Sequence, residues 1–204
     1  AVYHLKSMFI IPPKIKTFNL LKHNYKEYTF NYFINKPHLE NDIIKNIENR
    51  KNIVIVSNRG DFVRAYQKLY KKKASSLMTI TKDDITFINN KETLHLTKKR
   101  EIDAFINDLN NNVEKFKPQI LIYSPKLSTG ISINFNFYDK LYCVADDKSV
   151  SPRTLIQMLF RVRILKDKEI NFFISGSINR LNKKFNIENV SKIINDMKNQ
   201  VEYY

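Results

Sequence analysis

A glutamine and two arginines late in the chain have the residue types needed for phosphoryl-transfer chemistry. Gln157, Arg161 and Arg163 follow a Ser-Val-Ser-Pro stretch, and apolar residues at 155, 156, 159 and 160 predict an amphipathic helix beneath them. On such a helix Gln157 and Arg161 are four residues apart and share a face. Paired arginines on a supported helix suit a clamp on a transferring phosphoryl group. A surface helix whose arginines meet carboxylates explains the same residues equally well.

A second stretch, from Ser124 to Ser132, is rich in hydroxyl groups and contains Gly130. It follows an apolar run at 120–123 that predicts a buried strand. A loop of this kind can present backbone N–H groups and hydroxyls to a phosphate. An ordinary exit from a strand into a loop is the alternative interpretation.

Both stretches lie within a regular alternation of strands and helices, with a period of roughly 25 to 35 residues. This alternation predicts right-handed βαβ units in one α/β domain of three layers, a mostly parallel sheet with helices on both faces. In such sheets, ligands bind beyond the carboxyl ends of the strands. The strands are predicted at 53–56, 76–80, 120–123, 141–145 and 170–174.

The remaining elements and the domain boundaries are predicted from the spacing of apolar residues and from turn-forming residues. We predict a strand within 29–34, a hairpin around Asn89 and Asn90, and one continuous helix from Ile102 to Phe116. Two further helices are predicted nearer the amino terminus. The apolar face of the first consists of Leu39, Ile43, Ile44 and Ile47, and that of the second of Phe62, Ala65, Tyr66 and Leu69. Residues 1–37 are interpreted as a segment packing on the domain, 38–177 as the domain, and 178–204 as a helical extension.

The charge balance favours a polyanionic partner. Lys and Arg number 35 against 20 Asp and Glu, a formal net charge of +15. Such a domain repels itself, and nucleic acid relieves that repulsion with release of counterions. Codon drift in an A/T-rich genome is the alternative source of the lysines. The single Cys143 favours a reducing intracellular compartment, and no apolar run is long enough to suggest a membrane partner.

The sequence lacks the motifs of several common nucleotide-binding and metal-binding sites. It has no G-x-x-x-x-G-K-[ST] or G-x-G-x-x-G pattern, and only three glycines. The four histidines are scattered and accompany a single cysteine, so no metal site is expected.

Taken in order, the motifs resemble those of the superfamily 2 helicases in their second RecA-like domain. Ser124, Gly130 and Ser132 match motif V, while Gln157 and Arg161 match motif VI, Q-x-x-G-R-x-x-R. The run from Ile53 to Arg59 resembles motif IV. The pattern S/T-P-x-x-x-x-G-x-S, then S-x-S-P and Q-M-x-x-R-x-R, is closer to the herpesvirus origin-binding-protein type. That type is also found fused to primases in large DNA viruses with cytoplasmic stages, and the A/T-rich composition fits an asfarvirus-like primase–helicase.

Two departures from the family pattern affect motif VI. Phe160 occupies the usual glycine position, and Arg163 comes one residue earlier than in the common pattern, as in the origin-binding type. The resemblance implies an arginine finger, which we assign to Arg161 for the γ-phosphate. Arg163 is then a second contact or an interdomain brace.

The resemblance further implies that ATP and Mg²⁺ bind only together with a first RecA-like domain of the same polypeptide. The chain alone is therefore expected to bind neither and to be inactive as an ATPase. Gly130 and Ser132 are the nucleotide-side candidates of the loop. The implied partner is single-stranded DNA, with RNA left open, and the implied location is the host cytoplasm or nucleus. The candidates for contacts with nucleic-acid phosphates are Ser57, Asn58, Arg59, Ser124 and Lys126. The basic runs Lys71–Lys73 and Lys98–Arg100 would widen the basic track along which a strand binds.

Two other classes of function stay open. A stand-alone basic nucleic-acid-binding module explains the charge without the paired motifs. A nucleotide-binding or transferase α/β domain would need a glycine-rich loop that this sequence lacks.

Overall fold

A computed structural model of the chain describes residues 16–19, 28–124, 132–146 and 152–175. Within these residues, nine strands form one sheet in the order β1-β2-β9-β8-β3-β7-β4-β5-β6. The strands are β1 (Lys16–Asn19), β2 (Thr29–Tyr32), β3 (Ile53–Ser57), β4 (Ser76–Ile80), β5 (Ile85–Asn89), β6 (Thr93–Leu96), β7 (Ile120–Tyr123), β8 (Lys140–Asp146) and β9 (Glu169–Ser175). The helices are α1 (Lys36–Glu48), α2 (Gly60–Tyr70), α3 (Lys99–Asn107), α4 (Leu109–Phe116) and α5 (Pro152–Leu159).

The six strands from β2 through β4 in this order are parallel to one another. β3 lies at the centre, and all five of its residues are buried, which explains the run of β-branched side chains in its sequence. Its odd and even residues point to opposite faces, Ile53 and Ile55 into one core cluster and Val54 and Val56 into the other. The predicted buried parallel strands are confirmed.

Helices cover both faces of this sheet. On one face, α1 and α2 pack with Leu39, Ile43, Val63 and Tyr66 into a core shared with Ile53 and Ile55. On the other face, the apolar sides of α3, α4 and α5 form the larger core. The predicted three-layer α/β architecture with helices on both faces is confirmed.

The buried stripe of α2 differs from the prediction. Val63, Tyr66 and Tyr70 are buried, whereas Ala65 is exposed and Leu69 is 43% exposed. Residues 63, 66 and 70 recur at helical spacing, about 100° around the axis from a stripe through 62, 65 and 69. The helix and its inward Tyr66 were thus predicted correctly and Phe62 is half-buried against the core, whereas the inward placement of Ala65 and Leu69 was wrong. In α1, Leu39, Ile43 and Ile47 are buried as expected, and Ile44 is half-buried.

The predicted single helix from 102 to 116 is interrupted. Asp108 has φ −112° and ψ 34°, outside the helical region, and it separates α3 from α4. The Asn112 side chain donates to the Phe105 carbonyl at 2.9 Å, where the helical ladder is broken. The apolar stripe continues across the break through Phe105 and Leu109, both buried, so the pattern alone indicated one helix.

The sheet contains more strands than the five predicted parallel ones. β2, within the segment assigned to 1–37, pairs in parallel with β9, so this part of the segment is an integral strand. The predicted hairpin is β5 and β6, which extends the opposite side in antiparallel fashion. The boundaries at 37 and 177 stay predictions, and the extension 178–204 lies outside the described residues. No helix of the described part of the chain is long and apolar enough to cross a membrane.

Candidate nucleotide and nucleic-acid site

The residues at the carboxyl ends of three strands lie together at one edge of the sheet. Because β3, β7 and β8 are parallel neighbours, their carboxyl ends lie side by side. Val56 pairs with both Tyr123 and Cys143, which brings the following residues Asn58, Ser124 and Asp146 to this edge. We call it the carboxyl edge, and the opposite end of the strands the amino edge.

Asn58 joins the ends of β3 and β8. Its side-chain amide donates to the Asp146 carbonyl at 2.6 Å, and its Oδ1 accepts from the Asp146 N–H at 2.9 Å. The side chain is buried, and its two hydrogen bonds continue the pairing of the two strands beyond their last backbone bonds. This arrangement accounts for Asn58 structurally, and its predicted contact with nucleic acid stays a prediction.

Arg59 is the accessible cation of this loop, and two carboxylates hold it. Its guanidinium makes a two-pronged pair with Asp61 and a further bond to Asp146 at 3.2 Å. Its plane also lies over the Phe62 ring, 4.7 Å from the ring centre. The bonds to Asp61 and Asp146 raise the pKa of Arg59, and the bond from Arg59 lowers the pKa of Asp61. An incoming phosphate would therefore compete with Asp146 and Asp61 for this side chain.

The two predicted serine contacts are covered in this arrangement. Ser57 is fully buried, and its hydroxyl accepts the Arg59 N–H at 3.3 Å. Ser124 is also buried, and its N–H donates to the Ile80 carbonyl at 3.1 Å. Both serines thus shape the carboxyl edge, and their roles toward phosphate stay predictions. Lys126 and Gly130 lie outside the described residues.

Helix α5 ends before Arg161, so the expectation that Gln157 and Arg161 share a helical face is wrong. The Arg161 N–H donates to the Met158 carbonyl at 3.1 Å, a three-residue closure that turns the chain off the helix. The next residue, Val162, forms a parallel bridge with Ile133. Tertiary pairing at Val162 therefore overrides the helical pattern. Gln157 is exposed on α5.

That bridge brings the end of motif V beside motif VI. The Ile133 N–H donates to the Arg161 carbonyl at 2.7 Å, and the Arg163 N–H donates to the Ile133 carbonyl at 3.0 Å. Ser132, half-buried and next in sequence to Ile133, therefore lies beside the arginine segment, which we define as residues 161–165. Two stretches about 30 residues apart in sequence thus meet through backbone bonds, and their joint role toward a nucleotide stays a prediction.

The surroundings of Arg161 disfavour the charged form of its guanidinium group. Burial lowers the pKa of Arg161, the field of Tyr123 acts to raise it, and the positive charge of Arg163 lowers it. Tyr123 itself is fully buried, and its hydroxyl donates to the Met158 carbonyl at 2.8 Å, beneath the turn that carries Arg161. Arginine stays charged in proteins, so two neighbouring guanidinium groups, one half-buried and one exposed, favour binding of an anion.

The sequence interpretation overlooked two residues. Asp146 was not considered, because the strand was predicted to end at residue 145, although the rule that places chemistry at carboxyl ends applies to the residue that follows as well. Tyr28, buried beside the arginine segment, gave no signal, because its contacts at 163 and 165 lie some 135 residues away in the chain.

The described histidines have ordinary environments. His95 is exposed, with its Nδ1 3.0 Å from the Thr86 hydroxyl, and His38 is exposed near the start of α1. Among the described residues, no group of three or more His, Cys, Asp or Glu side chains is arranged to hold a metal ion.

The parallel sheet, its two helical layers and the motif residues in the connections between its strands define a RecA-like α/β domain. Over 141 residues, the chain is 32% identical to a putative helicase/primase complex protein of African swine fever virus, a match covering 68% of this chain and 12% of that protein. Over 97 residues, it is 35% identical to a putative replication origin-binding protein of Acanthamoeba polyphaga mimivirus, covering 46% of this chain and 12% of that protein.

No family profile matches the chain. Among solved structures, S. cerevisiae Dbp5 bound to RNA and ADP BeF3 is similar, with a TM-score of 0.48, 13% identity, and coverage of 80% of this chain and 37% of that one. The chain is thus similar in sequence to viral helicase/primase and origin-binding proteins, the type of protein that its motifs resemble. It spans only 12% of the length of these viral relatives.

Proposed function

We propose that the chain is the arginine-bearing half of an ATP-dependent DNA helicase motor that acts in viral DNA replication. In this proposal a first RecA-like domain of the same polypeptide supplies the phosphate loop and the Mg²⁺-binding acids. Arg161 then stabilises charge on the γ-phosphate as it is transferred, and Arg163 makes a second contact or braces the two domains. Without the first domain, the chain is inactive as an ATPase.

One observation carries this proposal. Two backbone bonds of Ile133, of 2.7 Å to residue 161 and 3.0 Å to residue 163, hold the backbone of both arginines next to the chain at Ser132. This pairing fixes the direction of the arginine segment independently of any ligand. A finger residue stabilises developing charge with little reorganisation, and a backbone fixed beneath the arginine supports that requirement.

Replacing Arg161 tests the proposal in the full-length protein. Arg161→Ala should lower the ATPase kcat by about 10³-fold or more, because arginine fingers contribute 10³–10⁵ in rate. Affinity for single-stranded DNA should stay within about twofold of the parent, since phosphate contacts elsewhere carry binding. Steady-state ATP hydrolysis and fluorescence anisotropy with labelled DNA measure the two quantities.

Arg64→Ala is the matched control for this substitution. Arg64 lies on α2, is exposed and pairs with Asp83 at 3.2 Å, so its loss removes the same charge from the helical layer on the opposite face of the sheet from α5. It should leave kcat within about twofold, as is usual for an exposed ion pair. Near-normal turnover of Arg161→Ala would contradict the motor assignment. Retained DNA binding with no ATPase in the parent protein would instead favour a stand-alone binding module.

We further propose that a single strand follows the carboxyl edge, held through its phosphates. Arg59 and Ser124 lie on this edge, and Lys82 follows β4 there. β6 runs in the same direction as β4, so the exposed run Lys98–Arg100 begins at the same edge. Lys71–Lys73, by contrast, follow α2 and precede β4, which puts them at the amino edge. Of the two basic runs, the geometry thus favours Lys98–Arg100 as part of the track.

A further inference from the structure

A tyrosine from the amino-terminal side of the domain is bonded to the arginine segment. The Tyr28 hydroxyl donates to the Arg163 carbonyl at 3.2 Å and accepts the Leu165 N–H at 3.2 Å. The side chain is 7% exposed. One hydroxyl therefore spans two backbone groups on either side of Ile164, at a point where the chain has left α5 and has not yet entered β9.

The position of Tyr28 is itself fixed by the sheet. The next residue, Thr29, donates its N–H to the Lys168 carbonyl at 2.8 Å and begins the parallel pairing of β2 with β9. Phe30 on the same strand meets the ring of Phe160 edge-on, with 6.4 Å between the ring centres. Phe160 stands where the family pattern has glycine, and Phe30 supplies the surface on which this larger side chain packs.

The arginine segment is thus held from two sides. Ile133 bonds to the backbone of residues 161 and 163, and Tyr28 bonds to the backbone of residues 163 and 165. Arg163 takes part in both sets, through its N–H toward Ile133 and its carbonyl toward Tyr28. Loss of the hydroxyl would leave the Arg163 carbonyl and the Leu165 N–H to find other partners, and the segment could shift.

We propose that Tyr28 is a positioning residue for the arginine finger, acting through the backbone of the arginine segment. The inference rests on the proposed function of Arg161 in ATP hydrolysis. Tyr28 does not touch nucleotide in this proposal, and its hydroxyl sets where the two guanidinium groups stand when the motor closes. A displacement of about 1 Å in a catalytic group can cost on the order of 10²-fold in rate, so even a partial shift is measurable.

Tyr28→Phe in the full-length protein is the direct test, because it removes the hydroxyl and keeps the ring. We expect the ATPase kcat to fall about tenfold, while KM for ATP and affinity for single-stranded DNA stay within about twofold. Tyr32→Phe is the matched control. Tyr32 ends β2, the strand that begins just after Tyr28, and its ring packs on Phe172, so this change removes a hydroxyl at the opposite end of that strand. It should leave kcat unchanged.

A double-mutant cycle separates positioning from general loosening of the fold. If Tyr28 acts through Arg161, the effect of Tyr28→Phe should shrink to less than about twofold in an Arg161→Lys background. Thermal unfolding of each variant checks that the proteins compared are folded. Phe30→Leu, which keeps the Tyr28 hydroxyl and weakens the contact with Phe160, should lower kcat in the same direction to a smaller extent.

The outcomes distinguish this inference from the function on which it rests. If Arg161→Ala abolishes turnover and Tyr28→Phe matches Tyr32→Phe, the positioning role is wrong and the motor assignment stands. A tenfold effect of Tyr28→Phe that persists in the Arg161→Lys background also overturns it, since Tyr28 then acts elsewhere. If Arg161→Ala leaves turnover intact, the proposed function fails first.

Discussion

At the scale of single residues, the availability of a basic side chain depends on the carboxylates around it. Arg59 has the position expected for a phosphate contact, yet Asp61 and Asp146 occupy most of its hydrogen-bonding capacity. Asp146 is in turn fixed to β3 by its two backbone bonds with Asn58. The proposed binding of DNA through Arg59 would therefore be an exchange of partners, and its free energy would be the difference between the phosphate and the carboxylate contacts.

Removing the charge of Asp146 should shift this exchange toward DNA. For Asp146→Asn we expect affinity for single-stranded DNA to rise about threefold to tenfold, because Arg59 loses one competing anion. Arg59→Ala should lower affinity and reduce the slope of log affinity against log salt by up to about 0.7, the loss of one phosphate contact with a single strand. Anisotropy titrations at several salt concentrations provide both values.

Glu48→Gln is the control for net charge. Glu48 is exposed at the end of α1, which precedes β3, so its substitution changes the net charge by the same amount at the amino edge. It should raise affinity by less than about twofold, a long-range effect that salt screens. Equal effects of the two substitutions would show that Asp146 acts only through the charge of the whole domain.

At the scale of elements, the sequence predicted what local patterns determine and missed what distant contacts determine. The buried strands and the hairpin were predictable because β-branched runs and Asn89-Asn90 carry their signals within a few residues. The end of α5 was not predictable, since Val162 leaves the helical path to pair with Ile133. The break at Asp108 was hidden because the apolar stripe continues across it. At the candidate site, the carboxyl edge was foreseen, whereas Tyr28 was not, because its contacts are with residues far along the chain.

Strand direction leads to a prediction about the two basic runs. Replacing Lys98, Lys99 and Arg100 together with Ala should weaken binding of single-stranded DNA by about tenfold or more near physiological salt, because this run begins at the carboxyl edge. Replacing Lys71, Lys72 and Lys73 removes the same charge from the amino edge and should cost less than about threefold. Circular dichroism checks that both variants keep their helices. Equal losses would contradict a track along the carboxyl edge.

At the scale of the whole molecule, the net charge of +15 has two explanations with different consequences. Cations gathered into a track bind phosphates at close range and release counterions, so affinity depends steeply on salt. Lysines scattered by codon drift raise the mean potential, which salt screens over about 8–10 Å without a fixed number of contacts. The exposed cations along the carboxyl edge favour the first explanation: Arg59 is half-exposed there, and Lys82 and Lys98–Arg100 are exposed.

The salt dependence of the isolated domain decides between the two. If about four phosphates are contacted along the carboxyl edge, log affinity for single-stranded DNA should fall with log salt with a slope of roughly −3. Affinity would then drop by about 60-fold between 50 mM and 200 mM salt. The same titration on the triple Lys98, Lys99 and Arg100 variant should give a slope shallower by about 2. A slope near zero in the parent domain would mean that the basic composition does not mark a nucleic-acid track. The proposals for the arginine segment and for Tyr28 do not depend on that result.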